Sequence, residues 1–171
     1  MKKIRLWQPV YKVKVKEHNF LKPLLLLLLV KAKAYSSKID SISSLDWEDA
    51  SDLKREWVQI FGPVWMDNIK EIADDIGCGD VCLEEMWFQQ YSKNGSHGWH
   101  VHSGHYTGVY YLELDKTSPP TELRDPYTKK IHKMNVKEGD MIVFPSYIYH
   151  RAPINKSVKQ KTIISWNFGI E

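Results

Sequence analysis

A chain of 171 residues with 43% apolar and 12% aromatic side chains is long enough for one substantial hydrophobic core and too apolar for a disordered segment. Its net charge of +3 is too mild to argue for nucleic acid as a partner. The first 40 residues are lysine-rich and the stretch from 46 to 85 is acidic, which reads as two solvated faces of one domain.

Ile4 to Lys16 reads as extended and broken at Pro9, with Val10 to Lys16 alternating apolar residues and lysines of the kind that guard a sheet edge. Pro23 suits the start of a helix running to about Ala34, and its leucines go round more than one face, which predicts burial on most sides. The apolar run Leu24 to Val30 is bracketed by Lys22 and Lys31 and is far short of the roughly 18 residues that span a bilayer. It also lies too late, and lacks the small-residue cleavage site, for a secretory signal, so a cytoplasmic protein is expected. Ser36 to Ser44 is polar and serine-rich, a connecting loop. Leu45, Ala50, Leu53, Trp57 and Ile60 then fall near helical spacing. After an interruption at Gly62-Pro63, a second amphipathic helix carries Val64, Trp65, Ile69, Ile72, Ala73 and Ile76 to a left-handed cap at Gly77. Trp57 and Trp65 lie on these apolar faces and read as core. Cys78 and Cys82 lack the second pair that a structural zinc site needs, so two free thiols are expected.

From Val81 the period changes from helical to extended. Val81 to Tyr91, Trp99 to His105, Thr107 to Leu114, Lys130 to Val136, Met141 to Phe144, Tyr149 to Ala152 and Thr162 to Phe168 are short strands separated by turn residues. Thr117 to Pro126, with Pro119-Pro120, reads as a mobile loop. Helices first and short antiparallel strands after predict an α+β fold: a double-sheet jelly roll, or double-stranded β-helix, with N-terminal helices packed on one sheet. The whole chain, 1–171, is then one domain, with 1–80 as mainly helical support and 81–171 as the core.

The chemistry concentrates in Tyr91 to Leu112, where four histidines stand beside glycines. Residues two apart on a strand share a face, so His100 and His102 can present two imidazoles to one point. Imidazole suits iron, copper, nickel and zinc, and a third ligand from a distant strand completes an open site. His150, after the turn Gly139-Asp140 and the run Met141 to Phe144, is the candidate. His97 and His105 stand in the same stretch and can replace either partner; His18 and His132 read as ordinary surface histidines. Trp99, Tyr106, Tyr147 and Tyr149 are candidates to line the mouth.

Tyr91 followed nine residues later by His100, then His102, Thr107-Gly-Val-Tyr-Tyr-Leu112, Gly139-Asp140-Met-Ile-Val-Phe-Pro145, His150, and Lys161 ahead of Ile163-Ile-Ser-Trp-Asn167 resembles the Fe(II)- and 2-oxoglutarate-dependent dioxygenases. Within that superfamily the chain is most similar to the prolyl-hydroxylase-like branch and the small oxygenases of bacteria and phages. The resemblance implies a cupin-like jelly roll and a metal held by His100, His102 and His150. It implies Fe(II), 2-oxoglutarate and O2 as cofactor and cosubstrates, with Lys161 and Tyr91, Tyr110, Thr107, Ser165 and Asn167 around the 2-oxoglutarate. It implies hydroxylation of a small molecule or protein side chain, with release of succinate and carbon dioxide, in a bacterial or phage-infected cell. One departure is His102, since the superfamily usually has an acidic residue there. Two other functions are open at this point: a three-histidine cupin dioxygenase that does without 2-oxoglutarate, and a non-catalytic jelly-roll binding protein. Substrate identity and oligomeric state are not written in the sequence.

Overall fold

The computed structural model describes residues 9–37 and 40–171, so the part of the predicted N-terminal extension before Pro9 lies outside the described residues. The strand β1 (Tyr11–Lys14) takes the edge of a large sheet, with Tyr11 and Val13 half-buried and Lys12 and Lys14 in solvent, as the alternation predicts. The helix α1 (His18–Lys31) follows, then β2 (Tyr35–Ser37) and β3 (Ile42–Leu45), a 3-10 turn (Trp47–Asp49) and the helix α2 (Glu56–Ile76). The second half supplies β4 (Val81–Tyr91), β5 (His97–His100), β6 (Tyr106–Glu113), β7 (Glu122–Arg124), β8 (Ile131–Lys133), β9 (Asp140–Pro145), β10 (His150–Ala152) and β11 (Lys161–Ile170).

These strands form two antiparallel sheets. The larger has the order β1-β9-β6-β11-β4-β3-β2 and the smaller β5-β10-β7-β8. Each strand of the large sheet shows one face to the helices and one to the small sheet, so residue parity assigns each side chain to one of two cores. On the helix side Leu21, Leu25, Trp57, Phe61, Trp65 and Ile69 pack on Phe88, Tyr110, Ile164, Trp166 and Phe168. Between the sheets lie Tyr91, Val109, Tyr111, Leu123, Ile142, Phe144 and Ile163. The result is a double-stranded β-helix with both helices on one sheet, the predicted α+β class. Among the described residues no helix is long and apolar enough to cross a membrane.

Several local expectations give way. The helix α1 begins five residues before Pro23, and Phe20, Leu27 and Val30 stay exposed, so it is buried on one side rather than most. The serine-rich segment expected as a loop contributes β2 and β3, which extend the sheet beside β4. The helix expected from Leu45 starts only at Glu56, and it then runs straight through Gly62-Pro63. Pro63 and Gln59, whose carbonyl loses its partner to the proline ring, are both exposed, so water can solvate the freed oxygen. The left-handed cap at Gly77 forms as predicted, with φ of 81°. Gly108 is required by packing: a Cβ there would sit 2.3 Å from Cζ2 of Trp166. The loop expected at Thr117 to Pro126 contains β7, paired to β10 and β8.

Asp46 ties the first half to the second. It is buried and accepts from the backbone N–H of Phe88, the indole of Trp57 and the guanidinium of Arg55. Burial pushes its carboxyl up, while these donors hold it down.

Candidate metal centre

The small sheet places His100 and His150 directly opposite each other, because β5 and β10 pair in the register His150↔His100. Cross-strand neighbours on one face lie close, and these two rings are 4.2 Å apart between centroids. The strand β5 ends at His100, short of the predicted Trp99 to His105. His102 therefore reaches the same point from the following loop, fixed by its N–H donating to the Ser146 carbonyl at 3.1 Å. Its ring lies 4.9 Å from His100 and 5.0 Å from His150. One ligand nitrogen from each of the three falls within 4.8 Å of the others.

The tautomers suit a metal. Nδ1 of His100 donates to the Gly98 carbonyl at 2.8 Å and Nδ1 of His150 to the Ile148 carbonyl at 3.0 Å, which leaves Nε2 of each as the free lone pair. Burial, reinforced for His102 and His150 by the neighbouring imidazoles, pushes all three below the usual histidine range, His102 to about 3. They are neutral bases at any physiological pH, as metal ligation needs.

His97 stacks on His100 at 3.8 Å between centroids, with Nε2 3.8 Å from Asp40, and lies beside the triad rather than in it. His105 accepts from the Ile170 N–H, away from the cluster. His132 is exposed, as expected, but His18 is buried and bonded to the Tyr110 hydroxyl at 2.6 Å.

The large sheet faces the triad with the parity set Gln89 and Tyr91 of β4, Thr107, Val109 and Tyr111 of β6, and Lys161, Ile163 and Ser165 of β11. Tyr91, Thr107 and Ser165 line a narrow space of about 20 Å³ against the histidines. Lys161 is 1% exposed, donates to the Pro119 carbonyl at 2.8 Å, and lies 5.5 Å from the Tyr91 ring centroid. Burial pushes its amino group down to about 7. Asn167 shares this face but is engaged with Glu85 at 2.6 Å. Tyr110 does not face the site: it stacks on Phe61 in the helix-side core. Tyr111 takes the inner position, its hydroxyl donating to Thr121 Oγ1 at 2.8 Å. Strand alternation carries the signal for this, since Thr107 and Tyr110 are three apart and a regular strand cannot show both to one face.

The aromatic lining also differs from expectation. Trp99 lies beneath the Arg151 guanidinium, Tyr106 stacks on Phe168, and Tyr147 and Tyr149 are half exposed. The mouth is instead a cavity of about 290 Å³ against His100 and His102, walled by Tyr35, Trp47 and Trp87, with Asp40 and Gln89. Nothing in local spacing marks Tyr35 or Asp40, because β2, carrying Tyr35, and the turn before β3, carrying Asp40, reach the site only through the pairing of β2 with β3 and of β3 with β4.

No protein-family model matches the sequence, and no curated protein matches it. Solved structures do match in fold. An oxidoreductase of the 2OG-Fe(II) oxygenase family from Burkholderia pseudomallei aligns with a TM-score of 0.73 at 10% identity, over 93% of this chain and 83% of that one. The viral collagen prolyl hydroxylase of Paramecium bursaria Chlorella virus-1, in its 2-oxoglutarate complex, aligns at 0.66 and 15%, over 93% and 94%. HygX from Streptomyces hygroscopicus, with nickel, 2-oxoglutarate and hygromycin B bound, aligns at 0.71 and 8%, over 95% and 83%.

Proposed function

We propose that this protein is a non-haem Fe(II) oxygenase that consumes 2-oxoglutarate and O2 and hydroxylates a small molecule or a protein side chain. One observation carries the reading: three neutral imidazoles converge in the same inter-sheet layer as a fully buried lysine whose only hydrogen-bond acceptor among the described residues is an uncharged carbonyl. The fold likeness to 2OG-Fe(II) oxygenases supports it.

The donor set fits the groups invoked. Three imidazole nitrogens suit Fe(II) and leave coordination positions open. Among the described residues a buried lysine with no carboxylate partner stands beside a buried Tyr91 hydroxyl with no hydrogen-bond partner, which suits the far carboxylate of a dicarboxylic acid. When bound, the iron couples oxidative decarboxylation of 2-oxoglutarate to C–H oxidation. In sum 2-oxoglutarate, O2 and R–H give succinate, carbon dioxide and R–OH, with one oxygen atom in succinate and one in the product.

The chain's own residues hold and orient. The Gly98 and Ile148 carbonyls keep the imidazoles of His100 and His150 turned inward. Ile163 and Val109 give the cavity apolar walls that exclude water. Lys161 exchanges the Pro119 carbonyl for the carboxylate, and the space must widen, since about 20 Å³ holds little more than one water. Ser165 and Thr107 offer hydroxyls on the same face. His102 in place of an acidic ligand leaves the metal one unit more positive. Free thiols at Cys78 and Cys82 accord with work in the reducing cytoplasm.

The narrow space favours one other reading, a three-histidine dioxygenase that does without 2-oxoglutarate. Succinate formed from 2-oxoglutarate by the Fe(II)-loaded protein in air separates the two: its release supports our reading, and its absence alongside oxygen consumption supports the other.

A further inference from the structure

The cavity of about 290 Å³ adjoins the narrow space against Tyr91, sharing Gln89, His97, His100 and His102 with it, but its remaining walls come from β2, β3, the 3-10 turn and Trp87 of β4. Its floor is His100 and His102; its walls are the aromatic rings of Tyr35, Trp47 and Trp87 and the aliphatic side chains of Ile42 and Leu45. Trp47 and Trp87 meet edge to face at 4.4 Å, and the Trp87 ring lies 5.3 Å from His102. Among the described lining residues Asp40 carries the only formal charge. Its side chain is about one-third exposed, and among the described residues the side chain set against it is the imidazole of His97, at 3.8 Å. No described lysine or arginine neutralises it.

An aromatic-walled cavity with a single carboxylate selects for positive charge. Ring faces attract a cation through their quadrupoles, and the carboxylate adds a direct partner. The volume is at the low end for a ligand pocket and suits one side chain or one small molecule.

From this geometry we propose that the substrate is an organic cation on an aliphatic chain, its ammonium held by Asp40 among Tyr35, Trp47 and Trp87 and its methylene groups laid against His100 and His102. The proposal deepens the oxygenase reading and rests on it for the role of the triad. Free alkylammonium compounds and lysine side chains of a protein present the same chemistry to this cavity.

Binding tests the idea without turnover. The metal-free protein is titrated with cadaverine, with Nα-acetyl-lysine amide, with a short lysine-containing peptide and with the neutral Nα-acetyl-norleucine amide. Calorimetry and intrinsic fluorescence follow each titration, since Trp47 and Trp87 line the cavity. Cationic probes bind, and the neutral isostere binds about tenfold more weakly or not at all. Asp40→Asn removes the preference and Asp40→Glu keeps it, with circular dichroism confirming that both variants fold. The tighter of cadaverine and the peptide identifies the source of the cation. Equal binding of lysine and norleucine probes, an unchanged preference in Asp40→Asn, or no binding by any probe overturns the proposal. Cation selectivity without succinate formation would sink the oxygenase reading alone, and succinate formation without cation selectivity would sink this proposal alone.

Discussion

Lys161 and Tyr91 are register partners on β11 and β4, with the lysine Nζ 5.5 Å from the Tyr91 ring centroid and the Tyr91 hydroxyl left without a partner among the described residues. Neither choice favours folding. Burying an amino group without a counter-charge costs free energy, and such local losses are expected where a ligand supplies the missing partner. Lys161→Met should therefore make the protein more stable and bind 2-oxoglutarate at least about tenfold more weakly. The folded lysine titrates near 7 against 10.5 when unfolded, so the unfolded chain holds more protons between those values. Wild-type stability rises with pH across that window, and the advantage of the variant is full at pH 7 and below and closes towards pH 10. Thermal melts of both proteins across this range check it.

The same group predicts a proton linkage in binding. At pH 8 the free Lys161 is mostly neutral, and a bound carboxylate restores its charge, so 2-oxoglutarate binding should take up close to one proton. At pH 6 the lysine is already charged and uptake should vanish. Calorimetry in buffers of different ionisation enthalpy reads this directly, and a heat independent of buffer at pH 8 would contradict it.

The metal ligands separate from their neighbour. His100→Ala and His150→Ala should each weaken Fe(II) or Ni(II) binding by roughly a hundredfold or more. His97→Ala, which removes a ring stacked on His100 but no ligand, should still bind metal with full stoichiometry. Anaerobic metal titration of the three variants distinguishes them.

Tyr110 and Tyr111 give a paired test of which face is which. Tyr110→Phe leaves Nδ1 of His18 buried without its 2.6 Å partner and should cost about 1–3 kcal/mol of stability with no change in 2-oxoglutarate affinity. Tyr111→Phe frees Thr121 beneath the Pro119 segment and should change that affinity. Chemical denaturation and binding assays on both variants decide it.

This pair also marks where sequence reasoning stops. The His-x-His motif and His150 stand out as histidines beside turn residues, and Lys161 through its place in the resemblance to 2-oxoglutarate-dependent dioxygenases. The inner tyrosine depends on parity, and parity is set by Gly108 receiving the Trp166 ring from a strand far along the chain. Gly62-Pro63 looks like a helix break, yet the exposure of Pro63 and Gln59 makes the lost hydrogen bond tolerable. His18 reads as a surface residue, but Tyr110, distant in sequence, gives it a buried partner, with Glu138 at the edge. The short strands β2, β3 and β7 carry too few residues for a period, and pairing makes them strands: β3 with β4, β2 with β3, and β7 with β10. Asp40 and Tyr35 come to the cavity with them.

The proposed oxygenase chemistry requires one iron and one dicarboxylic acid to share the space between His100, His102, His150 and Lys161. Anaerobic titration of the protein with Fe(II), followed by 2-oxoglutarate, tests this most directly. A weak visible charge-transfer band should appear only when both are present, be absent in His150→Ala, and require far more 2-oxoglutarate in Lys161→Met. Tight Fe(II) binding with no band at any 2-oxoglutarate concentration would contradict the shared site.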